Sequence, residues 1–129
     1  MHTFYQILFT LYSWALFVVL WLLSIMTAVI LSIDTREKEN VFNAIERFFS
    51  RISFKLLGMK VEIQGIENIP RNEPVIFISN HQSMMDIKLS LAFIPTNFSF
   101  ISKDTVFHVP ILGAYMTVSG HIPIQRTDD

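Results

Sequence analysis

The sequence predicts an α/β fold behind a membrane helix, and three observations support this. Residues 4–33 are uncharged and strongly apolar. Residues 40–57 repeat apolar side chains at helical spacing. From residue 59 onward, runs typical of strands alternate with runs typical of helices, an order that indicates parallel strands joined by helices. We therefore predict a membrane helix and an amphipathic helix, followed by a partial mixed or parallel sheet with flanking helices.

The composition of the chain excludes several classes of functional site. A chain of 129 residues suits one domain, and 51% apolar against 16% charged residues is apolar for a soluble one. The chain has no cysteine, so disulfides, thiolate metal sites and a cysteine nucleophile are excluded. A net charge of −1 gives no case for nucleic-acid binding.

The N-terminal 33 residues are predicted to be a transmembrane or membrane-embedded helix. Every Lys, Arg, Asp and Glu lies at Asp34 or beyond, and about 20 apolar residues cross a bilayer. A cleaved signal peptide is the alternative, but no Lys or Arg precedes the apolar run and the run is too long. A segment that enters one leaflet of the bilayer and returns to the same side is a second alternative. Arg36 and Lys38 follow the run closely, which places the remainder on the cytoplasmic side.

Residues 34–58 are predicted to contain an amphipathic interfacial helix. Arg47, Arg51 and Lys55 are four apart and form a basic stripe beside its apolar face, while Phe54 falls outside that face. The helix either lies among anionic lipid headgroups or packs its apolar face on the following domain. The predicted apolar face comprises Val41, Phe42, Ile45, Phe48, Phe49, Ile52 and Leu56.

Residues 59–129 are predicted to form the α/β part of the chain. Pro110 and Gly113 interrupt its last apolar run, so we expect two short helical pieces there. The predicted strands are 59–64, 75–78, 98–101 and 120–126, and the predicted helices are 83–94 and the two pieces within 105–119.

A histidine and a carboxylate follow the predicted strand 75–78, at the strand end where α/β folds usually bind ligands. His81 and Asp86 are five apart, which is about 140° on a helix, so the two can meet only if His81 precedes the helix and Asp86 lies in its first turn. Ser83 is a suitable N-cap for that helix. In the simpler interpretation Asp86 only completes a capping box with Ser83. Both can hold if one oxygen of Asp86 caps the helix and the other holds His81.

Residues 80–86 read Asn-His-Gln-Ser-Met-Met-Asp and resemble the N-H-x-x-x-x-D motif of the glycerolipid acyltransferases. Residues 100–103, 110–113 and 120–126 resemble the second block of that family. The resemblance runs from about residue 48 to residue 126, and it is greatest to members that act on 1-acyl-glycerol-3-phosphate. It implies transfer of an acyl group from a thioester to the free hydroxyl of that lipid, which gives phosphatidic acid.

The chain departs from the family pattern in two respects. Gln125 stands where the family usually has Asp or Asn before Arg126. The family continues with a Glu-Gly-Thr-Arg motif and a later proline-containing apolar motif, and neither is present here. We therefore expect the chain to correspond to the N-terminal half of such an enzyme, as a fragment, a truncated product or part of a split frame, and to be marginally stable alone.

The resemblance implies a role for each residue of the first motif. His81 removes the proton from the attacking hydroxyl. Asp86 holds the other ring nitrogen, selects the tautomer and stabilises the imidazolium, as in the histidine–aspartate half of a serine-hydrolase triad. Asn80 or backbone N–H groups help to stabilise the oxyanion, or Asn80 simply ends the strand.

The acceptor's phosphate requires cations. Arg126 and Lys103, both at predicted strand ends, are the candidates, and the alternative is that each is a solvated charge. His108 and His121 have no acidic partner at an informative spacing, and we interpret them as structural or surface residues.

No metal and no cofactor is expected, because His-x4-Asp alone is a poor metal signature. The expected partners are the membrane lipid lysophosphatidic acid and an acyl donor, acyl-coenzyme A or acyl carrier protein. Two alternatives remain open: an acyltransferase that acts on another lysolipid, and a membrane-anchored remnant without catalysis.

Overall fold

The computed structural model describes residues 2–70 and 73–125. Two long helices are followed by one medium helix, and two short strands then flank a pair of short helices. The elements are α1 (His2–Leu31), α2 (Lys38–Leu56), a 3-10 turn (Ile66–Asn68), α3 (Met84–Phe93), β1 (Ile101–Lys103), α4 (Asp104–Phe107), α5 (Leu112–Val118) and β2 (Ile122–Ile124). The fold is α/β, with helices around a small parallel sheet and an apolar N-terminal helix, in agreement with the predicted class.

Helix α1 is a continuous apolar helix, as predicted. Its segment Thr3–Leu31 has a mean hydropathy of 2.5 and is long and apolar enough to cross a membrane, judged by length and composition. Most of its large apolar side chains are exposed on the protein surface. Helix α2 runs antiparallel to it, because Tyr12 Oη donates to the carbonyl of Leu56 at 3.2 Å while Ala28 packs with Phe42 at the other end. We call this pair of helices the hairpin.

The buried side of α2 differs from the predicted apolar face. Phe42 belongs to the predicted apolar face and is buried in the structure. Phe48 also belongs to that face but is 58% exposed, and Phe54, which the pattern placed outside the face, is 3% exposed. The reason is that α2 lies between α1 and α3, where two small serines allow close approach and Glu46 finds a charged partner. The buried residues are Phe42, Asn43, Glu46, Ser50, Ser53 and Phe54.

Within residues 2–70 and 73–125 the sheet has two strands rather than the four predicted. β1 and β2 pair in parallel, with Ile101 opposite Ile122, so the predicted strands 98–101 and 120–126 are represented in part. The predictions of strands at 59–64 and 75–78 are wrong: neither segment is a strand. A strand needs a neighbour to accept its backbone hydrogen bonds, and β1 and β2 pair only with each other among the described residues.

The two short helical pieces predicted within 105–119 are confirmed as α4 and α5, separated around Pro110. Gly113 lies inside α5 rather than interrupting it. The position requires glycine, because a side chain there would overlap the backbone carbonyl of Phe107. Helix α5 packs on the hairpin and completes the apolar core. The buried core cluster comprises Ala28, Phe42, Tyr115 and Met116.

Candidate active site

Helix α3 begins with the local structure that its sequence predicts. Ser83 is extended, and its hydroxyl accepts from the N–H of Met85 at 3.2 Å. In return, Oδ2 of Asp86 accepts from the N–H of Ser83 at 2.9 Å, which completes the capping box. These bonds place Asp86 in the first turn of the helix and His81 before it.

The same carboxylate oxygen also contacts the histidine. Nδ1 of His81 lies 3.2 Å from Oδ2 of Asp86, and the N–H of Gln82 donates to that oxygen at 2.7 Å. Both interpretations of Asp86 therefore hold, although through one oxygen rather than two, because Oδ2 accepts from two backbone N–H groups and also faces the imidazole. Capping and histidine binding are combined in a single carboxylate.

The electrostatics of this pair determine which imidazole nitrogen is basic. The backbone N–H groups of Ser83 and Gln82, with His81 adding to them, lower the pKa of Asp86 below its usual range. An ionised carboxylate can only accept hydrogen bonds, so Nδ1 of His81 carries the proton and Nε2 offers a lone pair. The His81 side chain is 59% exposed. The arrangement can therefore accept a proton from a hydroxyl group that approaches from outside.

The other predicted site residues are only partly placed beside this pair. Asn80 is exposed in the irregular segment that leads into His81. The rings of Phe77 and Phe98, with centroids 6.3 Å apart, bring that segment against the residues that lead to β1. Lys103 is exposed at the carboxyl end of β1. Arg126 lies outside the described residues.

Two residues of the predicted basic stripe bind helix α3 instead of standing free. Nε of Arg51 donates to the carbonyl of Ala92 at 2.8 Å, and Nη2 of Arg47 donates to the carbonyl of Thr96 at 2.8 Å. Both acceptors lie at or just beyond the C-terminal end of α3, where unpaired carbonyls and the helix dipole favour cations. Burial, and then the charge of Arg51, lower the pKa of Arg47. These contacts correspond to the interpretation in which α2 packs on the following domain.

The structure also contains a buried ion pair that the sequence did not reveal. Nζ of Lys88 lies 3.3 Å from Oε2 of Glu46, and both side chains are almost fully buried. The two residues are 42 positions apart, and nothing in either segment marks them as partners.

The structural roles of His108 and His121 follow from the residues that they contact. Nε2 of His108 lies 3.5 Å from Oδ2 of Asp104, so our statement that His108 lacks an acidic partner is wrong, and the spacing of four residues could have revealed the pair. His121 is buried, accepts from the N–H of Phe100 at 3.2 Å, and packs on the ring of Tyr115. Burial lowers its pKa. Within residues 2–70 and 73–125, no three His, Asp or Glu side chains are grouped so that they could hold a metal ion.

The family model and the similar proteins all indicate the same family. The family model described as Acyltransferase matches residues 60–129. The chain is 41% identical over 70 residues to the chloroplastic 1-acyl-sn-glycerol-3-phosphate acyltransferase LPAT1 of Arabidopsis thaliana, covering 54% of this chain and 19% of that protein. It is 46% identical over 70 residues to a 1-acyl-sn-glycerol-3-phosphate acyltransferase of Chlamydomonas reinhardtii, covering 54% and 21%. The corresponding enzyme of Saccharomyces cerevisiae is 33% identical over 81 residues, covering 63% and 26%.

The matched region includes the capped helix, the histidine–aspartate pair and both strands. The chain spans about a fifth to a quarter of the length of these relatives. No solved structure matches it significantly. Because the family model covers more than half of the chain, the chain belongs to the acyltransferase family and resembles its glycerolipid members.

Proposed function

We propose that this chain carries the proton-transfer centre for acyl transfer from an acyl thioester to the free hydroxyl of 1-acyl-glycerol-3-phosphate, a reaction that gives phosphatidic acid. The observation that carries the proposal is the contact between Nδ1 of His81 and Oδ2 of Asp86 at the start of α3. The relatives named as 1-acyl-sn-glycerol-3-phosphate acyltransferases supply the substrate class.

The chemistry needs a base but no enzyme nucleophile, because a thioester is already activated. Nε2 of His81 takes the proton as the lipid hydroxyl attacks the thioester carbonyl and the new C–O bond forms. Asp86 keeps the proton on Nδ1 and stabilises the imidazolium. When the C–S bond breaks, the imidazolium returns the proton to the leaving thiolate. Asn80, immediately before the pair, is the proposed oxyanion donor.

The acceptor's phosphate is assigned to cations near strand ends. Lys103 at the end of β1 is exposed and able to reach a ligand in solution or at a membrane surface. Arg126, which follows β2 in the sequence and lies outside the described residues, is the second proposed phosphate ligand, because its planar guanidinium can bind two oxygens at once.

The reaction is proposed to take place at a membrane. Thr3–Leu31 has the length and apolar composition of a membrane helix, and both substrates are amphiphiles. The cations that follow α1 support a cytoplasmic location for the remaining residues under the positive-inside rule. The proposed division is a membrane unit over residues 1–33, an interfacial unit over 34–58 and an acyltransferase part over 59–129.

The test is acyl transfer by the purified chain in lipid vesicles, with acyl-coenzyme A or acyl carrier protein as donor. His81→Ala should lower kcat by about 100- to 10,000-fold, the usual contribution of a positioned base. His108→Ala is the matched control, since it removes an exposed histidine that also contacts an aspartate, and it should leave the rate unchanged. Equal rates for wild type and His81→Ala would remove the catalytic assignment.

Two further measurements separate the alternatives. If Lys103→Ala or Arg126→Ala raises KM only for phosphate-bearing acceptors, the phosphate assignment is supported. Preference for a lysolipid without a free phosphate would indicate an acyltransferase of different specificity. No transfer by the wild-type chain with any donor would indicate a membrane-anchored protein without catalysis.

A further inference from the structure

One buried polar cluster joins helices α1, α2 and α3 and lies outside the proposed site. Oε2 of Glu46 in α2 lies 3.3 Å from Nζ of Lys88 in α3, and Oε1 lies 2.6 Å from the hydroxyl of Ser24 in α1. The Lys88 ammonium also stands 5.4 Å from the centroid of the Phe17 ring in α1. Both charged side chains are nearly inaccessible, at 6% and 3% exposure. A charge buried this deeply is strongly unfavourable unless its partner is in place.

The apolar side chains of helix α3 do not form one continuous stripe, although Leu91 and Ala92 are buried beside Lys88. Apolar residues occur all around it, yet Met84 is exposed and Lys88 is buried. Packing of apolar side chains alone would accept several rotations of such a helix. The ion pair is compatible only with the rotation in which Lys88 faces Glu46, because any other rotation leaves a buried charge without a partner.

The rotation of α3 decides where Asp86 points. Two residues along a helix correspond to about 200° of rotation, so Asp86 and Lys88 lie on nearly opposite sides of α3. When Lys88 is held against the hairpin, Asp86 faces away from it. There its carboxylate meets His81 and the N–H groups of Gln82 and Ser83.

We propose that the Glu46–Lys88 pair is a positioning device: it sets the rotation of helix α3 and thereby aims Asp86 at His81. Arg51 binds the opposite end of the same helix through the carbonyl of Ala92, so polar side chains of α2 hold α3 at two points. The hydrogen bond from Ser24 to Glu46 connects these contacts to α1, the proposed membrane helix. The inference rests on the proposed function for its consequence in catalysis, but its geometric part can be measured without activity.

The test uses the whole chain in detergent micelles or lipid nanodiscs, with two double variants. Glu46→Gln with Lys88→Met removes both charges at similar size, so neither is left buried and unpaired. Glu46→Lys with Lys88→Glu reverses the pair and restores the attraction. The primary readout is amide hydrogen exchange of Gln82 and Ser83, whose N–H groups bond to Asp86, and kcat and KM are the second readout.

We expect the neutral pair to fold but to lose about 10-fold in exchange protection at Gln82 and Ser83, because the helix is no longer held in one rotation. Its kcat should fall by about 10-fold with KM for the acceptor unchanged, since only the alignment of the base is affected. The reversed pair should recover both values to within about twofold of wild type.

Wild-type protection at both amides together with wild-type kcat in the neutral pair would overturn the proposal. If the neutral pair does not fold, Glu46→Asp is the second variant. It keeps the charge but shortens the reach by one methylene, and it should lower the same two protections by about threefold, whereas unchanged protections overturn the proposal. If the wild type transfers no acyl group, the proposed function fails, while the amide measurement still decides the positioning role.

Discussion

Phe42→Ala and Phe48→Ala form a matched pair that tests how α2 is rotated. The apolar pattern places both side chains on the same predicted face. In the structure Phe42 is 2% exposed in the core cluster, whereas Phe48 is 58% exposed, with its ring centroid 5.5 Å from that of the neighbouring Phe49. The two substitutions remove the same atoms from one helix, so their difference reports burial alone.

The expected magnitudes differ several-fold. Truncating a fully buried phenylalanine removes its apolar contacts and leaves a cavity beside Tyr115, which costs about 3–5 kcal/mol of unfolding free energy. Truncating Phe48 removes at most an aromatic pair and a part-exposed surface, worth about 1 kcal/mol. In micelles the exposed ring contacts detergent in both folded and unfolded states, which keeps its contribution small.

The assay is reversible unfolding in mild detergent, followed by the fluorescence of Trp21. That ring packs edge-on against Tyr115, with centroids 6.4 Å apart, so its emission reports the contact between the hairpin and α5. Trp14 is exposed and is replaced by Phe in both variants and in the reference. If Phe48→Ala destabilises the chain as much as Phe42→Ala, α2 has the rotation that the apolar pattern predicts, and our account of its buried side is wrong.

Three further predictions concern a close approach and two titrating groups. Gly113→Ala should lower stability by about 1–3 kcal/mol in thermal unfolding, because its Cβ would overlap the Phe107 carbonyl; an unchanged melting temperature would contradict that contact. His121→Asn keeps an acceptor for the Phe100 N–H but cannot titrate. Burial lowers the pKa of His121, so wild-type stability should be full above about pH 6.5 and fall below it as the unfolded state takes up the proton, and the Asn variant should lack this fall. Asp86 has a lowered pKa, so its contribution should be present above about pH 4 and lost as the pH falls through the folded-state value; Asp86→Asn should flatten the acid limb of stability against pH, and an unaltered limb would refute this.

The parts of the structure that the sequence predicts correctly depend on neighbours along the chain. Helix α1 follows from an unbroken uncharged run. That His81 and Asp86 are able to meet follows from a capping residue between them and a spacing that requires one before the helix and one within it. The short helices α4 and α5 follow from the proline that separates them.

Apart from the local contact of His108 with Asp104, the incorrect predictions concern contacts between distant segments. The segments 59–64 and 75–78 have the composition of strands, but composition does not supply the neighbouring strand that a ladder requires. The side chains of Ile76 and Ile78 are 82% and 93% exposed. The same limit applies to α2, whose apolar pattern indicates a helix but not which side meets α1 and α3.

The sequence by itself determined the apolar first helix, the capped third helix and the spacing that allows His81 and Asp86 to meet at its N-terminus, because these depend on interactions within a few residues. Only the tertiary structure decided which side of α2 is buried, that Glu46 reaches Lys88, and that Arg51 binds the end of α3. Those contacts join residues about 40 positions apart. They exist because a buried charge must find an opposite charge or a carbonyl wherever the packed helices supply one.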